Sequence, residues 1–242
     1  MARAYPGVRL HSHVAETKDE ETWCARTHNM RPVRYMEKLG WVGDDVWWAH
    51  CIFLNPDEIK LMAETGTGVA HCPSSNMRLG SGIAPIREML DAGVRVGLAV
   101  DGSASNDCSH MINEGRQALL LQRVAKGANA LKIREVFQMG TTGGAAVLGR
   151  DDIGVLRPGM AADFIGVGMD SIGFAGGAVH DPLAALFLCS VPKVDLSVIN
   201  GKIVVEDGEL RTIDLPRFIA RHNEIAHRNV SKYPVPERFK LV

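Results

Sequence analysis

Between residues 8 and 148, strand-like and helix-like stretches alternate four times. Few folds accept that order. It argues for parallel strands joined by right-handed crossovers, with helices packed over a sheet or around a barrel. The strand stretches are Val8–His13, Asp45–Cys51, Thr67–His71 and Val94–Val100. In the first, His11 and His13 share one face and Val8, Leu10 and Ser12 the other. The helix signals lie between them. Thr17 to Trp23 is a polar helix start rich in acids, and Pro32 opens a stretch, Val33–Leu39, that Gly40 ends. Asn55-Pro56-Asp57-Glu58 combines a cap, a proline at the first helical position and a glutamate three residues after the cap; Gly66 closes that helix. Cys72–Asn76 reads as a loop, and Pro85–Ala92 as a helix stopped by Gly93. Ile112–Lys126 is a long helix. Ile133–Leu148 adds further helix, interrupted by Gly143-Gly144.

A chemically competent side chain stands at or near the end of every strand: His13, His50, His71 and Asp101, with Glu16 three residues after His13. Sites in α/β proteins gather at the carboxyl ends of parallel strands. Imidazole and carboxylate from separate strand ends can hold a divalent metal, zinc first and iron as the alternative. A metal there makes hydroxide available near neutral pH. Glu16 is placed to deliver a proton to a substrate nitrogen. The combination suits hydrolysis at an electron-poor carbon. Read from the residues alone, the chain is a metal-dependent hydrolase of unspecified substrate.

Beyond residue 150 the pattern changes. Ala162–Val167 is a strand, and Leu196–Val205 is a hairpin around an Asn200-Gly201 turn, with a second turn at Asp207-Gly208. Residues 1–150 therefore form the α/β part, 151–214 a small antiparallel part, and 215–242 a helix, Leu215 to about Arg228, with an irregular tail from Tyr233. A formal net charge of −1 gives no electrostatic case for nucleic acid or an anionic membrane. No apolar run reaches the roughly 18 residues of a membrane span, and the N-terminus is expected to hold no signal peptide. Five cysteines, an odd number without close pairing, fit a reducing cytoplasm. Cys51 and Cys72, each following a histidine, read as small buried residues. The remaining histidines, His28, His110, His180, His222 and His227, read as surface or local contacts, with His180-Asp181-Pro182 as a turn.

Taken together the motifs resemble the amidohydrolase superfamily, in its cytosine/guanine deaminase and chlorohydrolase branch. The segments that carry the resemblance are His13-Val-Ala-Glu16-Thr17, Ala49-His50-Cys51, Ala70-His71-Cys72-Pro73-Ser74-Ser75-Asn76 and Val100-Asp101-Gly102-Ser103-Ala104-Ser105-Asn106-Asp107. Gly154 to Asp163 and Val198-Ile-Asn-Gly201-Lys extend it into the C-terminal part. The wording is most similar to 8-oxoguanine deaminases, with hydroxyatrazine and hydroxydechloroatrazine hydrolases nearby. The resemblance implies a (β/α)8 TIM barrel represented by strands five to eight, followed by part of a C-terminal antiparallel β-sandwich. It implies that His13 and Asp101 bind one divalent metal, most naturally Zn2+ with Fe2+ as the alternative. Asp101 would also take the proton of the attacking water, Glu16 would carry it to the ring nitrogen, and His50 would steady the water and the tetrahedral intermediate. In two-metal relatives the histidine matching His50 is itself a ligand. His71, Ser74 and Asn76 would line the substrate side. The implied reaction is hydrolytic deamination of an oxidised purine or similar heterocycle with release of ammonia; a triazine amino- or chlorohydrolase is the alternative.

One departure stands against these matches. The family's first barrel strand ends in a His-x-His metal pair, and nothing upstream of residue 8 supplies it. His11-Ser12-His13 has the spacing, but Val-Ala-Glu-Thr follows it and the later strands fall in order behind it. The expectation is therefore a chain that lacks the N-terminal half of the barrel, which the full-length protein would supply; the competing expectation is a non-catalytic module. A small heterocycle, no nucleic acid, no membrane and a homodimer complete the expected partners.

Overall fold

The computed structural model describes residues 2–233 and divides into two compact units. The first covers the chain to Ala161 together with Met169–Val191. Its centre is a parallel sheet of four strands in sequence order: β1 (Leu10–Val14), β2 (Val46–His50), β3 (Gly68–His71) and β4 (Val96–Leu98). The register aligns His13 with Ala49, Ala49 with Ala70 and Ala70 with Gly97.

Alternation along each strand sends one set of side chains into the core. Val46, Trp48, Val69 and Val96 are buried there with Ile59, Met62, Ile86 and Met89. The last four come from α3 (Pro56–Thr65) and α5 (Ile86–Asp91). The opposite face, with His11, His13, Trp47, Ala49 and Ala70, lines an open cleft of about 340 Å³. Among the described residues β1 and β4 each pair on one side only.

Helix α1 (Lys18–His28) starts at Thr17, whose hydroxyl accepts from Glu20 N, and α2 (Pro32–Lys38) starts at proline. Asn55 and Glu58 make the expected reciprocal capping box on α3. Two expectations need correction. Cys72–Asn76 is not a loop: residues Pro73–Arg78 form the short helix α4, started by Pro73 and held by Glu114, which accepts the Ser74 N–H at 3.1 Å. Nor do Gly143-Gly144 interrupt their helix. Helix α7 (Ile133–Gln138) runs through a wider π segment, Met139–Gly143, into α8 (Gly144–Leu148). The glycines are there for close approach: a Cβ on Gly97 would lie 3.0 Å from Gly144 Cα, and one on Gly143 would lie 2.4 Å from Val96 O. Between β4 and α7 runs α6 (Met111–Lys126), N-capped by the His110 ring.

The boundary at 150 also moves. Helices α9 (Gly177–His180) and α10 (Pro182–Leu188) belong to the first unit. Asp181 caps α10, and Phe187 packs so tightly on Gly115 of α6 that a Cβ there would meet the ring at 2.4 Å.

The second unit, Ala162–Gly168 with the chain from Pro192 onward, holds one antiparallel sheet in the order β5 (Phe164–Gly166), β6 (Leu196–Ile199), β7 (Lys202–Glu206) and β8 (Glu209–Leu210). Asn200 and Gly201 have φ of 49° and 74°, the both-positive pattern of a type I′ hairpin turn. The described residues form a single sheet here, not two sheets face to face. Helix α11 (Leu215–Lys232) follows its Asp214 cap, and the tail expected to be irregular lies almost wholly outside the described residues. All five cysteines are free thiols, and no described helix is long and apolar enough to cross a membrane.

Candidate active site

The strands do not simply run out into loops. Ala15, His50, Cys51 and Asp101 have φ of 54°, 72°, 50° and 65°, so left-handed residues follow β1, end β2 and follow β4. Each kink is tied down. Glu20 accepts from both Ala15 N (2.9 Å) and Glu16 N (2.8 Å), which fixes the turn that presents Glu16. Cys51 N donates to Val14 O and Ile52 N to Ala15 O, locking the end of β2 to that of β1. Ala99 N donates to His71 O ahead of Asp101.

These turns bring four side chains to one point. His50 Nε2 lies 3.2 Å from His13 Nδ1, 3.7 Å from Glu16 Oε2 and 3.8 Å from Asp101 Oδ2. His13 Nδ1 is 3.8 Å from Glu16 Oε2. The ligand atoms of His13, His50 and Asp101 all fall within 4.8 Å of one another. Metal–nitrogen bonds of about 2.0–2.1 Å give a tetrahedral edge of about 3.3–3.4 Å, so the His13–His50 spacing is close to that of two zinc ligands. The tautomer also fits. The His50 Nδ1–H donates to Asn76 Oδ1 at 2.8 Å, which leaves Nε2 facing the cluster.

Asp101 Oδ2 accepts from the Ser75 hydroxyl at 2.6 Å and from the Ser105 hydroxyl at 2.9 Å. Partial burial works to raise this carboxyl's pKa. The Ser75 hydroxyl, the Gly102 amide, the Ser105 hydroxyl and the charge of His50 outweigh it, so the pKa sits below the ordinary value. Cys72, beside the site, is no thiolate: burial, then the Asp101 and Glu114 carboxylates, push it up to about 12.

Four of the expected residues, His13, Glu16, His50 and Asp101, are thus brought together. The other three are placed differently. His71 is 1% exposed, neither ring nitrogen has a hydrogen-bond partner, and burial followed by the charge of His50 lowers its pKa to about 3. Asn76 is buried behind the strand ends with its carbonyl on His50, where it orients a ring and does not face the cleft. Ser74 gives its backbone N–H to Glu114. The residues not foreseen are Ser75, Ser105, Glu20, Glu114 and Asn106. Thr17-x-x-Glu20 is a capping-box spacing that pointed to Glu20; nothing in the local sequence marked Glu114.

The sequence matches the model of the amidohydrolase family over residues 1–204. The chain belongs to the amidohydrolase family. Among similar proteins, the 8-oxoguanine deaminase of Pseudomonas aeruginosa is 48% identical over 219 residues, covering 90% of this chain and 48% of that protein. The crystal structure of the atrazine chlorohydrolase from Arthrobacter aurescens TC1 complexed with zinc superimposes with a TM-score of 0.85 at 38% identity, over 90% of this chain and 48% of that one. An adenosine deaminase from Xanthomonas campestris with bound zinc gives 0.87 at 32%, over 91% and 50%. This amidohydrolase chain spans about half the length of the relatives it matches.

Proposed function

We propose that this amidohydrolase chain carries the proton-transfer half of a zinc-dependent deaminase acting on an oxidised purine or similar N-heterocycle, 8-oxoguanine-like. The observation that carries the reading is the convergence of His13, Glu16 and Asp101 on His50 Nε2 within 3.2–3.8 Å. The donor set of two imidazoles and a carboxylate fits zinc, with His13 and Asp101 as ligands and His50 close enough to join them. When bound, zinc supplies Lewis acidity and hydroxide near neutral pH.

The protein's own groups supply the rest. Asp101, kept ionised by its hydroxyl donors, takes a proton from the attacking water. His50, with Asn76 fixing its tautomer, offers Nε2 to that water. Glu16, with its side chain one-fifth exposed at the rim, relays the proton lost by the water to the ring nitrogen, and the proton left on the added hydroxyl passes through Asp101 to the amine. Water adds at the amine-bearing carbon, the C–N bond breaks and ammonia leaves. In this reading β1 to β4 occupy positions five to eight of the family barrel, and the antiparallel sheet is part of its C-terminal sandwich.

The test is ammonia release from 8-oxoguanine, guanine, isoxanthopterin and aminated triazines by the zinc-loaded protein, with Glu16→Gln and Asp101→Asn alongside. Release from a purine that both substitutions abolish is the expected result. Chloride release from a chlorotriazine alone would replace the purine reading by the triazine one. No turnover of any of them by the natural form would end both.

A further inference from the structure

Glu114 sits on α6 with its carboxylate fully buried, and its hydrogen bonds go to Ser74 N and Asn106 Nδ2, not to the four converging side chains. Its two oxygens are spent on two different segments, the first turn of α4 and the loop after β4. Oε2 accepts the Ser74 N–H at 3.1 Å, just after β3, and Oε1 accepts from Asn106 Nδ2 at 2.8 Å, after β4. Asn106 Nδ2 also donates to Val100 O at 2.8 Å, and Asn106 Oδ1 accepts from Ser109 N at 3.2 Å. One residue along from each anchor stands a hydroxyl. Ser75 and Ser105 are 2.8 Å apart and both donate to Asp101 Oδ2.

A buried carboxylate costs free energy that backbone and amide donors must offset, so an acid at this point calls for a reason. An apolar side chain could fill the space. Only an acceptor with two diverging oxygens holds both α4 and the loop after β4, and holding both fixes the separation of the two hydroxyls. We infer that Glu114 is a positioning residue for Asp101: it clamps the first turn of α4 to the loop after β4 at the spacing that lets Ser75 and Ser105 share Asp101 Oδ2, and so holds that oxygen 3.8 Å from His50 Nε2 in the cluster. The consequence for metal binding rests on the zinc reading of the site.

Glu114→Gln is the natural perturbation. The side chain keeps its shape, but its NH2 must face either the Ser74 N–H or the Asn106 amide, and one of the two segments is released. Cobalt(II) titration, read by its visible bands and by competition with zinc, should show affinity falling at least tenfold, with altered cobalt bands. A Ser75→Ala/Ser105→Ala chain should lose affinity by itself, and adding Glu114→Gln to it should cost less than a further twofold. An undiminished tenfold loss in that background would mean that Glu114 acts by some other route, and unchanged affinity in Glu114→Gln alone would also overturn the inference.

If the unsubstituted chain binds neither metal, the zinc reading fails and the clamp is judged separately. A crystal structure of Glu114→Gln should then show the 2.6 Å Ser75–Asp101 bond broken, and an intact bond refutes the clamp. If Glu114→Gln does not fold, hydrogen exchange on the unsubstituted chain decides. Zinc should slow exchange at the Ser74 amide and the Asn106 side-chain amide, since coupling is reciprocal. No slowing at either counts against it.

Discussion

His71 gives the most direct test of the packing behind the site. The ring is 1% exposed at the end of β3, neither nitrogen has a partner, and its pKa is lowered to about 3 by burial and then by the charge of His50. The native state therefore holds a neutral imidazole, while the unfolded chain titrates near 6.5. The sign follows. Below pH 6.5 the unfolded chain takes up a proton that the native state refuses until about pH 3, so stability is lost as pH falls through that window. At about 1.4 kcal/mol per pH unit, the loss is about 2 kcal/mol at pH 5 and about 5 kcal/mol near pH 3. His71→Leu removes the titrating group, keeps a side chain of similar bulk suited to a strand, and breaks no hydrogen bond. Urea unfolding of the metal-free chain, followed by the fluorescence of buried Trp48, should give similar stabilities for the two chains above pH 7. Below that, the substituted chain should lead by a margin that widens to about 2 kcal/mol at pH 5. Parallel stability curves from pH 7 to pH 4 would refute the reasoning, because they would require the native imidazole to be protonated as readily as the unfolded one.

Three further outcomes follow from single contacts. Asn76→Ala strands the buried His50 Nδ1–H, so calorimetry should show a loss of about 1–3 kcal/mol. Glu20→Ala removes the acceptor shared by Ala15 N and Glu16 N; under the proposed deaminase reading, ammonia-release rates should fall while zinc affinity, which does not depend on Glu16, stays within about twofold. Gly143→Ala drives a methyl to 2.4 Å from Val96 O, and denaturant melts should show about 1–3 kcal/mol lost as the π segment is pushed off β4.

The parallel part of the fold was legible because its punctuation is local. Asn55-Pro56-Asp57-Glu58 carries the whole capping box in four residues, and Asn200-Gly201 carries its hairpin in two. The four converging side chains were legible because each ends or follows a strand. What stayed hidden is what only tertiary contact creates. Cys72–Asn76 lacks helical periodicity; the helix that begins at Pro73 has its Ser74 N–H accepted by Glu114, 40 residues away. Gly143-Gly144 reads as a break unless Val96 O is known to lie against it. Residues 169–191 look like the antiparallel part by composition, yet Phe187 finds its slot over Gly115.

The left-handed residues explain why the site needs this particular backbone. In the register Val14 lies opposite His50, so an undistorted β2 would send His50 to the helix side with Val14, away from His13. Ala49, opposite His13, faces the cleft instead. A φ of 72° at His50 breaks that alternation and swings the ring round until Nε2 is 3.2 Å from His13 Nδ1, while Nδ1 stays in the buried layer with Asn76. Two consecutive residues, Ala49 and His50, thereby serve one site. Non-glycine residues held at such angles cost of order 1–3 kcal/mol each, and Ala15, His50, Cys51 and Asp101 all hold them. Glycine would relieve the strain at His50 or Asp101 only by deleting the group the turn exists to present. The strain is instead offset where it arises, by Glu20 on Ala15, by Val14 O on Cys51 and by the two serine hydroxyls on Asp101. The hydrogen bonds around the cluster and the geometry of the cluster therefore have one cause, the need to turn three strand ends inward at once.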